Sequence, residues 1–501
     1  MNTDFDVFIV GGGINGAGIA RDAAGRGYKV CLAEMSDISS GTSSWSTKLI
    51  HGGLRYMEQF QLRLVREALI ERENLLSIAP HIIRPLRFIL PHSEKSRPLW
   101  MLSLGMFIYD NLARRKVLRK SEKINLNKAS EGKELKDNFA QGFEYSDCWV
   151  EDSRLVLLNA RDAYLRGARI MTRSKVVSLK WDSNKWEILV QKKLKNKIKN
   201  YQFSSKMVVN AAGPWVNEIN GQLKTSNGLF ARTRLVKGSH IVLPKLVNHE
   251  KAFIFQNFDN RVIFVIPFEK QFSLIGTTDE EFSENPSEVK ISKKEIDYLC
   301  ESVSTFFKKP ISSKDIVWTF SGVRSLYDDG EKSLQKITRE YVIKEESEYD
   351  KKILSIYGGK ITTYRKLAEK VLKIIDKQFN KTTYSWTSKH ALPGGDFEAK
   401  SFSKLLKHYQ EKYNFIERGI IERLFMSYGT QIDEMLHSTK SIKDLGKYFG
   451  NTLYEIEVKW MMNSEWAEKV DDILWRRSKL GLIFDNIGVQ KLKNYLKKYK
   501  I

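Results

Sequence analysis

Apolar residues recur in short runs near the N-terminus and at helical spacing further along the chain. The first run, DVFIV, is followed by the glycine turn GGG, the small-residue segment INGAGIARDAAG and a second apolar run that ends at Glu34. Such short runs predict buried parallel strands, and the small residues between them predict a helix packed closely on those strands. The opening segment is therefore predicted to be a β-α-β unit.

Two further patterns divide the rest of the chain. Between residues 239 and 278, strands and turns alternate in SHIVLP, AFIFQN, RVIFVIPF and FSLIGTTD, which predicts an antiparallel sheet. From residue 400 onwards, amphipathic helices such as EWAEKVDDILWRRSKLGL predominate. The chain is thus predicted to end in a separate helical domain.

The glycines of the opening unit have the spacing of a dinucleotide-binding turn. In G-x-G-x-x-G, Gly11 permits the tight turn, Gly13 lets the backbone approach a phosphate, and Gly16 lets the helix pack on the strand. Glu34 lies 18 residues after Gly16, near the offset of about 20 residues at which a carboxylate reaches a ribose hydroxyl. The unit alone does not separate NAD from FAD.

These patterns predict an α/β protein with a Rossmann-like dinucleotide-binding domain, an inserted antiparallel β-sheet domain and a C-terminal all-α domain. The expected bounds are 1–90, 143–215 and 345–392 for the discontinuous dinucleotide-binding domain, 91–142 for a basic helical insertion, 216–344 for the β domain and 393–501 for the helical domain.

Charge and composition restrict the function further. The chain has 501 residues and a formal net charge of +23, so an anionic partner or substrate is expected, but its lysines are scattered and no nucleic-acid-binding motif accompanies them. Three cysteines without metal or redox spacing predict neither a disulfide framework nor a metal site. The N-terminus runs straight into a strand, which predicts no signal peptide, and no apolar run is long enough for a transmembrane helix.

Residues 99–120 combine an apolar segment with a basic one. LWMLSLGMFI contains Trp100 and is followed by YDNLARRKVLRK, whose cations are Arg114, Arg115, Lys116, Arg119 and Lys120. An apolar, aromatic helix next to clustered cations suits shallow insertion into an anionic membrane surface. A buried helix with a solvated tail would give the same pattern.

Nine motifs, in order along nearly the whole chain, resemble those of one family. They are VGGGINGAGIARDAAGRG, TSSWSTKLIHGGLRYMEQ, GFEYSDCWVEDSRL, NAAGPWV, KGSHIVLP, IGTTD, WTFSGVRSL, ITREY and GGKITTYRKLAE. The chain resembles the FAD-dependent, membrane-associated glycerol-3-phosphate dehydrogenases of bacterial respiration. The resemblance implies FAD rather than NAD, and the sequence offers no cysteine or histidine for covalent attachment.

The resemblance also implies that the first domain binds FAD and that the inserted β-sheet domain binds the substrate, and it implies a reaction and a location. The family oxidises sn-glycerol 3-phosphate to dihydroxyacetone phosphate by hydride transfer to FAD and passes the electrons to membrane ubiquinone. The expected location is the cytoplasmic face of the inner membrane, as a peripheral protein on the anionic surface. The sequence does not determine the oligomeric state, for which a homodimer is the expectation.

Residues for the cofactor and the substrate follow from the matching motifs. Beyond Gly11, Gly13, Gly16 and Glu34, FAD is expected to contact Ser43, Ser44, Thr47, Lys48, Ala212, Gly213, Gly359, Ile361 and Thr362. The resemblance implies that arginines hold the phosphate, since guanidinium groups make bidentate, permanently charged contacts. The substrate-binding set is Arg55, Tyr56, Thr277, Arg324, Arg339 and Lys360.

A base must accept the hydroxyl proton of the substrate, and histidine has the ordinary pKa nearest neutrality. Of eight histidines, His51 lies in a glycine-flanked loop beside the expected flavin site, and His240 opens a strand of the β domain. We favour His51 as the base or orienting group and keep His240 as the alternative. Arg324 is expected to stabilise the developing alkoxide.

Other functions remain open from the sequence. A glycerol-3-phosphate oxidase would share the substrate chemistry and reoxidise the flavin with oxygen, and an amine-oxidising relative is disfavoured by the three candidate phosphate arginines. From a different class, the chain could be a catalytically silent flavoprotein of the membrane surface.

Overall fold

The structure is a computed structural model that describes residues 3–93, 97–182, 184–194, 197–223, 231–257, 259, 261–331, 340–348 and 351–499. Its α-helices are α1 (Ile14–Gly25), α2 (Leu62–Ile78), α3 (Leu99–Asn111), α4 (Asp152–Leu165), α5 (Val216–Asn220), α6 (Lys293–Ser304), α7 (Tyr364–Gln378), α8 (Phe402–Lys412), α9 (Arg418–Tyr428), α10 (Ile432–Leu436), α11 (Glu455–Glu465) and α12 (Asn486–Tyr499).

The strands of the same residues form two large sheets and one short hairpin. They are β1 (Asp4–Val10), β2 (Val30–Ala33), β3 (Leu49–Ile50), β4 (Ile83–His92), β5 (Glu122–Asn125), β6 (Gln141–Val150), β7 (Arg169–Met171), β8 (Ser174–Asp182), β9 (Lys185–Leu194), β10 (Lys197–Asn210), β11 (Thr233–Pro244), β12 (Ala252–Gln256), β13 (Val262–Phe268), β14 (Phe272–Gly276), β15 (Glu280–Glu281), β16 (Trp318–Tyr327), β17 (Val342–Glu348), β18 (Lys351–Tyr357), β19 (Tyr448–Gly450) and β20 (Leu453–Tyr454).

The first sheet contains the predicted β-α-β unit. Its strand order is β17-β18-β10-β1-β2-β7, and the pairs from β18 to β7 are parallel. Strands β8 and β9 continue from β10 as an antiparallel ribbon. Helices α1, α4 and α7 cover one face, where their buried apolar residues share a core with those of β1, β2 and β18. This is the predicted Rossmann-like arrangement.

The second sheet has the order β15-β11-β14-β13-β12-β4-β6-β3, and β16 pairs with β11 on a branch of that order. One face packs on α6 through residues such as Phe253 and Val303, and the other packs on α2 and α3 through residues such as Leu69 and Met106. The predicted antiparallel domain is therefore present, with helices on both faces.

The predicted domain bounds differ from the sheets at β3, β4, β5 and β6, all of which belong to the second sheet. We expected residues 1–90 and 143–215 to belong to the dinucleotide-binding domain, but β4 pairs with both β12 and β6 in the second sheet. The expected helical insertion at 91–142 contains α3 and also β5, which pairs with β6. Apolar alternation in a strand predicts which face is buried, whereas the partner strand is chosen by contacts distant in sequence.

The C-terminal residues form the predicted helical domain around its own buried core, with the small hairpin β19–β20 as an addition. Buried ion pairs connect this domain to the first one: Arg154 on α4 pairs with Glu465 at 2.9 Å, and Asp37 pairs with Arg477 at 2.5 Å. The helical domain is thus bound closely to the α/β body.

Helix α3 presents an apolar face to solvent. Trp100, Leu104 and Phe107 lie on one side of the helix and are 66%, 50% and 67% exposed, while Met106 and Tyr109 are buried. The buried-helix interpretation is therefore wrong for this face. In the described part of the chain, no helix is long and apolar enough to cross a membrane.

Candidate active site

Four loops meet at the carboxyl edge of the first sheet. Gly11 follows β1, Glu34 follows β2, Ala211 follows β10 and Gly358 follows β18. Ligands of open α/β sheets bind outside the carboxyl ends of the parallel strands. The side chain of Asn15, in the first turn of α1, donates to the Gly358 carbonyl at 3.1 Å and so holds the last of these loops against the first.

The glycine turn leaves a cradle that side chains would fill. Gly11 has a φ of +108°, and a Cβ there would stand 2.5 Å from the carbonyl oxygen of Ala211. A Cβ on Gly16 would collide with the Gly11 carbonyl, and one on Gly13 would stand 3.1 Å from Ser43 Oγ. The three glycines thus lie where the motif predicts, and the N-terminus of α1 faces the cradle, as a pyrophosphate requires.

The Glu34 carboxylate is held in place by backbone donors. Gly12 N donates to one oxygen at 2.7 Å and Ser36 N donates to the other at 2.8 Å. Burial raises the pKa of Glu34, against the opposing effect of these two donors. The remaining lone pairs of the carboxylate can accept ribose hydroxyls.

The loop after Glu34 is fastened by the C-terminal domain. Asp37 is 4% exposed and accepts from Arg477 Nη1 at 2.5 Å and from Arg476 Nε at 2.6 Å. Arg477 keeps the pKa of Asp37 below its ordinary value against the effect of burial. A loop that would face the ribose is therefore positioned by residues at the other end of the chain.

The polar loop at 43–48 lies between the two sheets. Ser43 Oγ accepts from Ile14 N at 3.0 Å at the start of α1, and Ser44 is buried with its hydroxyl near the Gly41 carbonyl. Lys48, expected to contact the flavin, turns inward instead. Its buried ammonium donates to both oxygens of Asp152, at 2.8 and 2.9 Å, and to the Ser44 carbonyl at 3.2 Å. This leaves no ammonium hydrogen for a cofactor, which corrects the expectation for that side chain.

Thr47, His240 and Arg324 come together beside the second sheet. His240 Nε2 lies 3.0 Å from Thr47 Oγ1, and its ring stacks on Phe320 with centroids 4.7 Å apart. Arg324 Nη2 donates to the Thr278 carbonyl at 3.1 Å and pairs with Asp279 at 2.7 Å. Burial, with Lys48 and Arg324 nearby, lowers the pKa of His240 to about 3, so the imidazole is neutral.

His51, Tyr56 and Lys360 form a second group. Lys360 Nζ lies 3.8 Å from the centroid of the Tyr56 ring, and His51 N donates to Thr362 Oγ1 at 3.4 Å. Burial lowers the pKa of His51, and Lys360 adds to this effect, whereas Asp147 opposes it. His51 is therefore also a neutral histidine near neutral pH.

The two groups converge on the end of β14. The His51 ring approaches Phe264 with centroids 6.3 Å apart, and both Phe264 and His240 stand opposite Gly276 in the sheet. Thr277 follows directly, and its hydroxyl and the Arg324 guanidinium both lie beside Gly238. The structure thus gathers two neutral imidazoles, a hydroxyl and two cations from distant segments.

Not every expected residue can be placed. The backbone of Arg55 lies in a 3-10 helix (Leu54–Gln59), but its side chain falls outside the described residues, as does all of Arg339. Ala212 and Gly213 border the glycine cradle, and Ile361 with Thr362 opens a 3-10 turn that leads into α7. Both segments follow strands of the first sheet at its carboxyl edge, and their contact with FAD stays a prediction.

Two buried carboxylates next to the site were missed from the sequence. Asp152 pairs with Lys48, and Asp147 pairs with Arg72 at 2.5 Å while accepting from Gly52 N at 3.2 Å, directly after His51. Both acids stand in the motif GFEYSDCWVEDSRL, to which no role was assigned. Acids on an otherwise buried strand-helix junction are a signal of buried ion pairs.

Two family models match the chain. Residues 6–365 match the model described as FAD dependent oxidoreductase, and residues 385–497 match the model described as the C-terminal domain of alpha-glycerophosphate oxidase. The solved structure of the glycerol-3-phosphate dehydrogenase from Bacillus halodurans, complexed with FAD, is similar with a TM-score of 0.77 at 27% identity, covering 99% of this chain and 90% of that one.

Curated relatives match over almost the whole length. The chain is 42% identical over 498 residues to the aerobic glycerol-3-phosphate dehydrogenase of Escherichia coli (strain K12), covering 99% of this chain and 97% of that protein. The chain belongs to the FAD-dependent glycerol-3-phosphate dehydrogenase family. It is also 43% identical over 474 residues to D-erythritol 1-phosphate dehydrogenase of Brucella abortus (strain 2308), covering 95% of this chain and 94% of that protein.

Membership confirms three expectations. The chain is an FAD-dependent oxidoreductase, FAD is its cofactor, and the α/β fold with a C-terminal helical domain is that of the family. The cradle of Gly11, Gly13 and Gly16 fits the pyrophosphate of FAD, since it leaves space beside the N–H groups at the start of α1. The oriented Glu34 carboxylate fits the ribose, since its free lone pairs can accept the hydroxyls.

Replacing Asp37 by asparagine is expected to weaken FAD binding about tenfold, equivalent to about 1.4 kcal/mol. The amide keeps the size of the side chain but loses the charge that Arg476 and Arg477 hold, so the loop after Glu34 becomes less ordered. FAD titration of the apoprotein measures the change. Asp433→Asn is the control, because Asp433 pairs with Lys412 within the C-terminal domain. Equal FAD affinities in wild type and Asp37→Asn would contradict the role of Asp37 in positioning the loop after Glu34.

Proposed function

We propose that the protein oxidises sn-glycerol 3-phosphate to dihydroxyacetone phosphate and passes the electrons to a membrane quinone. The observation that carries the proposal is the group at the end of β14, where the Arg324 guanidinium lies beside Thr277 and near two neutral histidines. An anion-binding group next to proton acceptors suits a phosphorylated alcohol.

The cofactor would lie along the carboxyl edge of the first sheet. Gly11, Gly13 and Gly16 would receive its pyrophosphate and Glu34 its ribose, while backbone atoms of the loops at 211–213 and 359–362 and the hydroxyls of Ser43 and Thr47 would line the rest. FAD supplies a two-electron acceptor that takes a hydride from the substrate carbon. The protein contributes position and charge.

Arg324 is proposed to hold the phosphate. Its contacts with Asp279 and the Thr278 carbonyl fix the orientation of the guanidinium, and a guanidinium has five N–H donors with which to reach further oxygens. Lys360, held over the Tyr56 ring, adds a second cation. Arg55 and Arg339 remain among the proposed substrate-binding residues because of their sequence motifs alone.

His51 is proposed to accept the hydroxyl proton, with His240 as the alternative. A base must be neutral when the substrate binds, and burial keeps both imidazoles neutral. Thr47 holds His240 through Nε2, and the Nδ1 atom of His240 is buried without a partner in the described part of the chain. Arg324 would stabilise the alkoxide as it develops.

Contact with the membrane is assigned to α3. Its exposed face carries Trp100, Leu104 and Phe107, and exposed cations such as Arg114 and Lys120 follow the helix directly. An amphipathic surface of this kind lies in the interface plane of an anionic bilayer, with its apolar side chains among the acyl chains. Membrane contact would bring the flavoprotein to a lipid-soluble quinone.

Anaerobic glycerol 3-phosphate is expected to bleach the flavin of the purified protein. Arg324→Met should keep FAD but raise the substrate concentration for half-maximal bleaching about 100-fold, a loss of about 2.7 kcal/mol of phosphate binding. Arg261→Met is the control, because Arg261 pairs with Asp259 elsewhere in the second sheet.

Further arms of this experiment separate the alternatives. D-erythritol 1-phosphate and unphosphorylated glycerol test the length of the substrate and the need for the phosphate. Reoxidation by a quinone without hydrogen peroxide supports the dehydrogenase over the oxidase. A yellow protein that no phosphorylated alcohol bleaches would leave only the catalytically silent flavoprotein.

The pH dependence of flavin reduction tests the base. Because burial places the pKa of His51 below its ordinary value of about 6.5, the base stays neutral as pH falls through 6.5, and the rate should fall only below that pH. His51→Asn is expected to lower the rate about 100-fold and to abolish this pH dependence. Single-turnover reduction at saturating substrate measures both. His240→Asn is expected to keep the pH profile, and the reverse result would assign the base to His240.

Loss of the exposed aromatic residues should weaken membrane binding. The double variant Trp100→Ser, Phe107→Ser is expected to bind anionic vesicles about tenfold more weakly at high salt, because salt screens the cations and leaves apolar insertion as the main term. Vesicle sedimentation measures binding. Tyr384→Ser is the control, since Tyr384 is 82% exposed at a different site. Binding by the double variant equal to that of wild type would contradict the role of α3.

A further inference from the structure

A cavity of about 480 Å³ lies between the C-terminal domain and the rest of the molecule. Its walls include His81, Arg84 and Glu151 from the α/β body and Arg423 and Lys479 from the C-terminal domain. None of its lining residues is expected to contact FAD or the substrate, although Arg477 in its wall also pairs with Asp37 in the loop after Glu34. The volume is typical of sites for small molecules.

Some polar atoms of the residues around the cavity are buried without protein partners. Both ring nitrogens of His81 and the Nε atom of Arg154 are buried and make no hydrogen bond in the described part of the chain. His81 is completely buried and packs against the backbone turns at Gly394 and Gly429. These atoms have no surface open to the space, so a ligand there would be held by the charged side chains that face it.

Four charged side chains face this space without pairing with one another. Arg84 and Lys479 are the cations, and Glu151 and Glu269 are the carboxylates. Arg84 Nη1 contacts only Met426 Sδ, at 3.6 Å, and Lys479 Nζ donates to Ser153 Oγ at 3.3 Å and to the Trp475 carbonyl at 2.5 Å. No ion pair within 4.0 Å involves any of the four in the residues that the structure describes.

The unpaired cations are costly in the protein alone. Lys479 is 8% exposed, and burial lowers its pKa and also that of Arg84. A buried charge without a counter-ion destabilises a protein unless a ligand supplies one. Because the cations and the carboxylates do not pair, there is room between them for a molecule that contacts both the cations and the carboxylates.

We propose that this inter-domain cavity binds a small phosphomonoester whose other end carries an ammonium or hydroxyl group. Arg84 and Lys479 donate to the phosphate, which accepts several hydrogen bonds at once. Glu151, and Glu269 at the mouth, accept from the donor at the other end. Because the walls come from both domains, the ligand holds the C-terminal domain to the α/β body.

Isothermal titration calorimetry of the FAD-loaded protein tests the site with phosphoethanolamine, and with inorganic phosphate as a probe of the anion half alone. We expect one saturable site per chain for phosphoethanolamine. Arg84→Met and Lys479→Met should each weaken binding about tenfold. Lys479→Met removes a buried unpaired charge, so the variant is expected to fold, and its thermal midpoint verifies this.

Two control variants separate this site from others. Lys270→Met should bind as wild type does, because Lys270 lies at the rim but pairs with Glu422. Arg324→Met should also bind normally, because Arg324 belongs to the substrate group. Absence of saturable binding in wild type, or loss in Arg324→Met with retention in both Arg84→Met and Lys479→Met, would overturn the proposal.

The carboxylates are tested by the choice of ligand. Glu151→Gln should weaken phosphoethanolamine more than inorganic phosphate, since only the former has a donor for the carboxylate. Hydroxyethyl phosphate in place of phosphoethanolamine identifies whether the ammonium or the hydroxyl is preferred. Equal effects of Glu151→Gln on the ester and on inorganic phosphate would overturn the assignment of the second half of the site.

Discussion

The parallel pairing of β1 with β2 on one side and β10 on the other is the constraint on which the rest of the structure depends. Parallel strands end at the same edge of a sheet, so the turn at Gly11, the Glu34 carboxylate and the Ala211 loop meet there. The approach is so close that a single Cβ at Gly11 would stand 2.5 Å from the Ala211 carbonyl oxygen. The other loops of the site extend from this edge towards the second sheet.

Buried ion pairs determine the electrostatics on the substrate side. Lys48 with Asp152, and Arg72 with Asp147, place compensated charges behind the two histidines. Compensation matters because an unpaired carboxylate beside either imidazole would raise its pKa and favour the protonated form, which cannot accept a proton. Both histidines are instead kept neutral by burial. Positive charge is thereby concentrated on the side chains that would meet an anionic substrate.

Buried ion pairs join the C-terminal domain to the α/β body, together with apolar contacts such as the stack of Trp475 on Trp318. Its own buried residues form a separate cluster, and its connections to the body include the pairs of Asp37 with Arg477 and of Arg154 with Glu465. Buried pairs of this kind contribute orientation more than stability, because desolvation offsets much of their attraction. They hold the domain against the loop that would face the ribose, and they border the inter-domain cavity. Substitutions in the helical domain are therefore expected to change the affinity for FAD.

The sequence by itself determined the cofactor class, the β-α-β unit and the order of the domains, because glycine spacing, apolar runs and helical periodicity are local properties of the chain. The three glycines and Glu34 that it named meet at one sheet edge, and His51 and His240 both lie near the end of β14. It did not predict that β3, β4 and β6 join the second sheet or that Lys48 pairs with a buried carboxylate. Only the tertiary structure decided which sheet each strand joins, that Lys48 pairs with the buried Asp152 carboxylate, and that Arg477 pairs with Asp37. These outcomes depend on contacts between residues tens to hundreds of positions apart, which no local pattern encodes.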